Sequence, residues 1–192
     1  MSVTLTRQEI IDGLTDVVLL LRKAGQPGEI QLIGGAAISL TIDSARPATK
    51  DIDAWATPPE ALRAAADAVG RRRGWPDGWL DENAAMFVPS GLGRGAEWVT
   101  LFDKDGVRIQ VASPRMLLAM KLIALTKRPR RDADDVAVLL TVCEVTTADE
   151  AERILEEFFP GDGLPQRTYE LVEALLAQGP RDVDVPERPA FD

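Results

Sequence analysis

Two carboxylates separated by one apolar residue, Asp51-Ile52-Asp53, carry the clearest chemistry in the chain. Side chains alternate between the faces of an extended strand, so Asp51 and Asp53 are expected to project together while Ile52 turns to the core. Carboxylates held that close repel unless a cation or a proton lies between them. Oxygen ligands of this kind suit Mg²⁺ or Mn²⁺, and Mg²⁺ is typically held by one or two carboxylates plus substrate phosphates. Upstream, the run Gln31-Leu32-Ile33 ends in Gly34-Gly35. Glycine lets backbone amides approach a phosphate chain closely, and a helix starting near Ala36 would add its N-terminus. Taken singly, the acidic pair reads as well as a solvated strand edge, and the glycine pair as a tight turn before a packed helix. Their conjunction points to a metal–phosphate site.

The elements that must position these residues follow from periodicity. Residues 6–24 repeat apolar side chains at helical spacing (Ile10, Leu14, Val17, Val18, Leu21), with Thr6 and Glu9 at capping-box spacing. Residues 29–33 and 51–56 read as strands around a Gly34-Gly35 turn and a short helix from 36 to 43. Thr57, Pro58 and Glu60 signal a helix start. The stretch 75–95 is rich in Gly, Pro and Asp and is expected as a loop with a short strand at 85–88. Residues 98–102 and 107–111 flank Asp103-Lys104-Asp105-Gly106 as a β-hairpin. Ser113-Pro114 opens the first of four helices, followed by 131–143, 148–159 and 166–178. This order predicts an α+β fold, a mixed β-sheet with flanking helices followed by a C-terminal helical bundle. The expected divisions are a core at 1–112, a helical region at 113–178 and a flexible tail at 179–192.

Composition narrows the chemistry. The 192 residues are 45% apolar, which supports a real core, and carry a formal net charge of −9. That charge argues against general duplex DNA binding. With no histidine and only Cys143, Cys/His zinc sites, internal disulfides and Ser-His-Asp chemistry are excluded. Residues 1–25 are amphipathic, not a signal peptide, and no run approaches the ~20 apolar residues of a membrane span. The expectation is a cytoplasmic protein without membrane association.

Gly34-Gly35, a helix, and then Asp51-Ile52-Asp53 resemble the nucleotidyltransferase fold of the DNA polymerase β superfamily. The closer resemblance is to AbiEii-like nucleotidyltransferase toxins and their uncharacterised bacterial relatives, over roughly residues 30–140. Arg46 and Thr49 stand where these proteins carry an Arg/Thr lead into Asp-hydrophobic-Asp. Lys121, Arg128, Arg130, Arg131, Asp132 and Asp135 resemble their later lysine-bearing helix and Asp-rich helix start. The resemblance implies transfer of a nucleoside monophosphate from a nucleoside triphosphate (NTP) to an RNA, protein or small-molecule acceptor, with an antitoxin protein as partner. Asp51 and Asp53 are implied as metal ligands. Asp51, Asp53 and Lys121 are implied as catalytic, and Gly34, Gly35, Arg46, Thr49, Lys121 and Arg128 as nucleotide contacts.

Two departures accompany it. Gln110 stands where the family pattern wants a third Asp or Glu, and a neutral amide neither balances a second cation nor serves as base. Asp103, Asp105 or the Asp132–Asp135 pair would have to substitute, with Gln110, Asp132 and Asp135 as supporting residues. Otherwise the site is degraded and the chain is a nucleotide- or partner-binding module. Fifteen residues also separate Gly35 from Asp51, slightly more than usual, so 44–48 reads as a small insertion. Asp132 and Asp135 suit a helix dipole as well as an ion pair with Lys121 or Arg128. Arg71-Arg72-Arg73 reads as a solvated helix end. Trp55 shares the face of Asp53, where it would stack on a base or, as expected more often, fill core. Cys143 is expected buried and inert.

Overall fold

The computed structural model describes residues 4–83 and 85–191. Within these, the elements are α1 (Arg7–Lys23), β1 (Gly28–Leu32), α2 (Gly34–Thr41), β2 (Ile52–Thr57), α3 (Pro59–Arg73), β3 (Leu80–Asp81), β4 (Trp98–Lys104), β5 (Val107–Ala112), α4 (Pro114–Lys127), α5 (Pro129–Val142), α6 (Ala148–Phe158) and α7 (Gln166–Leu176). The fold is α+β, as the segment pattern predicts. Contacts divide the chain into two compact units. One holds the chain through Met86, Trp98–Ala112 and the chain from Val185. The other holds Phe87–Glu97 and Ser113–Asp184.

The first unit is built on a five-stranded mixed sheet of order β3-β2-β1-β5-β4. β1 runs antiparallel to β2 and parallel to β5, β2 is parallel to β3, and β4 is antiparallel to β5. One face is apolar: Ile30, Leu32, Ile52, Ala54, Ala56, Val107, Ile109 and Val111 are all 0–3% exposed. Burying each of the larger ones is worth about 1.5–3 kcal/mol. The other face is polar, and the register sorts it into rows. Trp55, Gln31, Gln110 and Thr100 lie side by side across four strands, and Thr57, Glu29, Arg108 and Asp103 form the next row.

Local signals explain most of the helices in this unit. Thr6 and Glu9 close a capping box on α1, whose predicted apolar stripe is buried. The α3 helix runs to Arg73 and ends at Gly74 with φ +69, a left-handed cap that glycine adopts without penalty. Its cap position is Pro58, which makes no side-chain cap. Thr57, read as part of the helix start, instead closes β2.

Three further expectations are corrected. Gly34 and Gly35 are not a turn before the helix but its first residues. The strand expected at 85–88 is a 3₁₀ turn at Ala85–Phe87, and the edge strand is Leu80–Asp81. The loop there is fixed by tryptophans: Trp79 is 2% exposed and its Nε1 donates to the Ala66 carbonyl at 2.9 Å. The segment from Gly179 has no helix or strand but is not a free tail. Phe191 is 1% exposed and meets Phe102 edge-on at 6.3 Å, while the Arg188 guanidinium donates to the Thr100 and Leu101 carbonyls.

The second unit is a bundle of α4–α7. Ser113 caps α4, with its Oγ accepting from Met116 N, and Thr147 with Glu150 forms a capping box on α6. Pro129 separates α4 from α5 and occupies the first turn of α5, where its missing N–H costs nothing. Among the described residues no helix is long and apolar enough to cross a membrane.

Candidate metal and nucleotide site

The glycine pair is fixed between two charged side chains. Ile33 N donates to the Asp53 carbonyl at 3.0 Å, which pins the exit of β1 to the start of β2. Gly34 then takes φ +65, a region that costs an L-residue roughly 1–2 kcal/mol. Its backbone lies so close to Asp53 that an added Cβ would sit 2.6 Å from Oδ2. At Gly35 an added Cβ would meet the Arg46 guanidinium at 2.5–2.9 Å. Arg46 Nη1 also donates to the Pro47 carbonyl at 3.0 Å. Gly34 is therefore required by its backbone and by close approach, whereas at Gly35 a side chain fits only if the Arg46 guanidinium moves away. The N-cap residue of α2 is Ile33, which has no polar side chain to cap the helix.

Asp51 and Asp53 are held from both sides. Leu5 and Thr49 exchange backbone hydrogen bonds of 2.6 and 3.0 Å, and Ile52 N donates to the Trp79 carbonyl at 2.7 Å. Both aspartates are half-buried around the fully buried Ile52. The Thr49 hydroxyl donates to the Asp51 carbonyl at 3.1 Å and the residue is 9% exposed. Thr49 thus shapes the Asp51 backbone and is not displayed as a nucleotide contact.

The structure brings Gly34, Gly35, Arg46 and Asp53 together. Gln110, proposed as metal support, is engaged elsewhere. Its Oε1 accepts from Gln31 Nε2 at 2.9 Å and its Nε2 donates to Thr100 Oγ1 at 3.2 Å. Register places it in the Trp55 row, two strands across from β2 and off the row of Asp53. The proposed substitutes are also taken. Asp103 pairs with Arg108 at 2.9 Å and Asp105 with Arg22, both at the hairpin end of β1, opposite Gly34. A carboxylate that the sequence reading passed over is Asp81, directly in register with Asp53 on the parallel strand β3. Its Oδ1 accepts from Asn83 N at 2.9 Å. A two-residue strand has no periodicity by which it could be found.

Among the described residues no group of three or more Asp, Glu or Cys side chains converges as a metal cluster. A donor set of two carboxylates, completed by phosphate oxygens and water, fits one Mg²⁺.

Lys121, Arg128, Asp132 and Asp135 form a separate cluster within the helical unit. Lys121 Nζ lies 2.6 Å from Asp132 Oδ1 and 2.7 Å from Asp135 Oδ2, with Asp132 wholly buried. Arg128 Nε is 3.2 Å from Asp132 Oδ2, an ion contact whose geometry does not make a hydrogen bond. The two aspartates therefore hold Lys121 in place beyond any effect of the helix dipole.

Other candidates resolve plainly. Arg72 and Arg73 both pair with Asp16, at 2.5 and 2.6 Å, so the arginine run is a structural helix end. Burial pushes the Asp16 carboxyl up, but hydrogen bonds from the two arginines outweigh it and hold it below its ordinary value. Burial pushes the Cys143 thiol up to about 11, which leaves it unreactive at neutral pH. Trp55, expected in the core, is 44% exposed.

The family model for the nucleotidyl transferase AbiEii toxin of type IV toxin–antitoxin systems matches residues 92–188, about half of the chain. The stretch includes Gln110, Lys121, Arg128, Asp132 and Asp135, whereas Gly34-Gly35 and Asp51-Ile52-Asp53 precede it. It begins later and extends farther than the resemblance read over 30–140. No curated protein and no solved structure matches significantly. On a fold of the expected class, a match of this extent shows that the chain belongs to the AbiEii family of nucleotidyl transferase toxins.

Proposed function

We propose that the chain moves a nucleoside monophosphate from an NTP onto an acceptor hydroxyl at Gly34, Gly35, Arg46, Asp51 and Asp53. One observation carries this reading: the Asp53 carboxylate and the Arg46 guanidinium press against consecutive glycines at a helix start. Asp51 and Asp53 would hold Mg²⁺ or Mn²⁺, which when bound draws charge off the phosphates. Arg46 offers a planar fork of donors for phosphate oxygens, and the first amides of α2 offer further N–H groups. The acceptor oxygen attacks the α-phosphorus, the bond to the bridging oxygen breaks, and pyrophosphate leaves with the electron pair. The acceptor proton goes to solvent. Lys121 and Arg128, which the family resemblance assigns to nucleotide binding, are ion-paired within the helical unit, Lys121 with Asp132 and Asp135 and Arg128 with Asp132. The acceptor is an RNA, protein or small-molecule hydroxyl. The chain acts in the cytoplasm, with an antitoxin as its partner, and the net charge of −9 suits a basic one.

Label transfer from α-³²P NTP to an RNA pool, to protein and to small molecules tests this. Asp51→Asn and Asp53→Asn are expected to lower transfer at least about 100-fold, as for removal of one group stabilising the transition state. A second reading, a binding module without turnover, has the neutral Gln110 in its favour. Mg²⁺-dependent NTP binding that is lost in Asp51→Asn, with no transfer to any pool, would decide for it.

A further inference from the structure

The polar face of the sheet carries an aromatic that neither the family match nor the proposed chemistry uses. Trp55 is 44% exposed and shares its strand and face with Asp53, two residues away. Strand geometry sets that spacing at about 7 Å, a span that one ribose covers between a phosphate and its base. The indole makes no hydrogen bond or ring contact with the described residues. Its register neighbour on β1 is Gln31, which donates to Gln110 at 2.9 Å, and Gln110 donates in turn to Thr100. An exposed aromatic face therefore stands beside a row of amides whose orientation is fixed by mutual hydrogen bonding. Its neighbours on this face, Asp53, Thr57 and Gln31, are polar, unlike the apolar surround of an aromatic anchor in a protein interface.

We infer that Trp55 is the stacking platform for a nucleobase, with Gln31 reading its edge, an inference that rests on the proposed transfer at Asp51 and Asp53. Base recognition outside a duplex needs these two things together: a π-face to stack on and an amide to meet the hydrogen-bonding edge. The neutral Gln110 is then part of the arrangement. A carboxylate there would add a charge in the row that meets an uncharged heterocycle. The base belongs either to the NTP or to the acceptor end of an RNA.

The test uses the full chain with Ca²⁺ in place of Mg²⁺ to hold back turnover, and reads tryptophan fluorescence. The titrants are each of the four NTPs, inorganic tripolyphosphate and a mixed-sequence RNA octamer. Quenching is expected in the wild type and is expected to vanish in Trp55→Phe, whose melting curve confirms folding. Trp55→Ala should weaken the base-bearing ligand about 5- to 150-fold, the loss of one base–aromatic stack, and leave tripolyphosphate affinity unchanged. Quenching by NTPs assigns the base to the donor nucleotide; quenching by the octamer alone assigns it to the acceptor. Quenching that survives in Trp55→Phe, or no quenching by any NTP or by RNA, overturns the inference. Label transfer without such quenching leaves the proposed function standing and removes the platform. Quenching without transfer does the reverse.

Discussion

Gly34→Ala and Gly35→Ala separate what the two glycines do. At position 34 the backbone sits at φ +65, so alanine costs about 1–2 kcal/mol before any contact is counted. For a chain of this size each kcal/mol lowers the melting temperature by roughly 2–4 °C, giving a fall of about 2–8 °C. The added methyl would also lie 2.6 Å from Asp53 Oδ2, which the short aspartate relieves only by swinging its carboxylate away. Metal-supported NTP binding should fall with it. At position 35 the backbone lies outside the left-handed region, and the obstructing atoms are the end of the flexible Arg46 side chain. Helix propensity favours alanine there by up to about 1 kcal/mol, so the melting temperature should hold or rise. Displacing Arg46 removes a charged hydrogen-bonding group worth about 1.5–3 kcal/mol, which weakens NTP binding roughly 10- to 150-fold. Differential scanning calorimetry and Ca²⁺-supported NTP titration of both variants give the readout. If Gly34→Ala melts with the wild type and both variants bind NTP normally, the glycine pair is not a phosphate cradle.

The cluster around Lys121 predicts that Lys121→Met costs about 3–5 kcal/mol, because it removes the ammonium that both buried aspartates, Asp132 and Asp135, share. A denaturant midpoint shifted by less than the equivalent of 1 kcal/mol would show that the ion cluster does not stabilise the bundle. Phe191→Ala should cost about 3–5 kcal/mol, as for a buried aromatic. A frayed tail would show almost no change in the melt. Asp16 and Glu157 are both held below their ordinary values of 3.8 and 4.5, with arginine hydrogen bonds outweighing burial. Their contribution is present above those ordinary values and is lost as pH falls through the lower native ones. Melting temperature should therefore be level from pH 8 to about 5, the chain having no histidine, and should drop below about 4. Asp16→Asn should lower the plateau and soften the drop.

Legibility followed the length of each signal. Helices α1, α4 and α6 have an apolar stripe of several turns or a cap, and Thr6, Ser113 and Thr147 mark their starts within a residue. The hairpin was readable because two alternating runs flank a glycine-bearing turn. Strand β3 was not, since two residues carry no period. Its placement depends on Trp79, which packs under α3 and lends its carbonyl to Ile52. Trp55 was misread because a large apolar residue in an alternating strand is most often core; here Ala54 and Ala56 take that face. Phe191 lies in a Pro- and charge-rich stretch whose composition gives no hint of the pocket formed at Phe102.

Gln110 marks the limit of reading a role from sequence position alone. An amide in place of a family carboxylate looks like the loss of a metal ligand. Sheet register changes the question, because β5 neighbours β1, and the row of Gln110 reaches β2 at Trp55, not at Asp53. A glutamate there would face Gln31 and remain two strands from β2. The carboxylate that register does bring beside Asp53 is Asp81, on the opposite side of β2. Like charges directly across two strands destabilise the pair unless a cation relieves them. The negative charge around Asp53 is thus gathered at the β3 edge of the sheet, while the β5 side is left neutral beside the exposed indole.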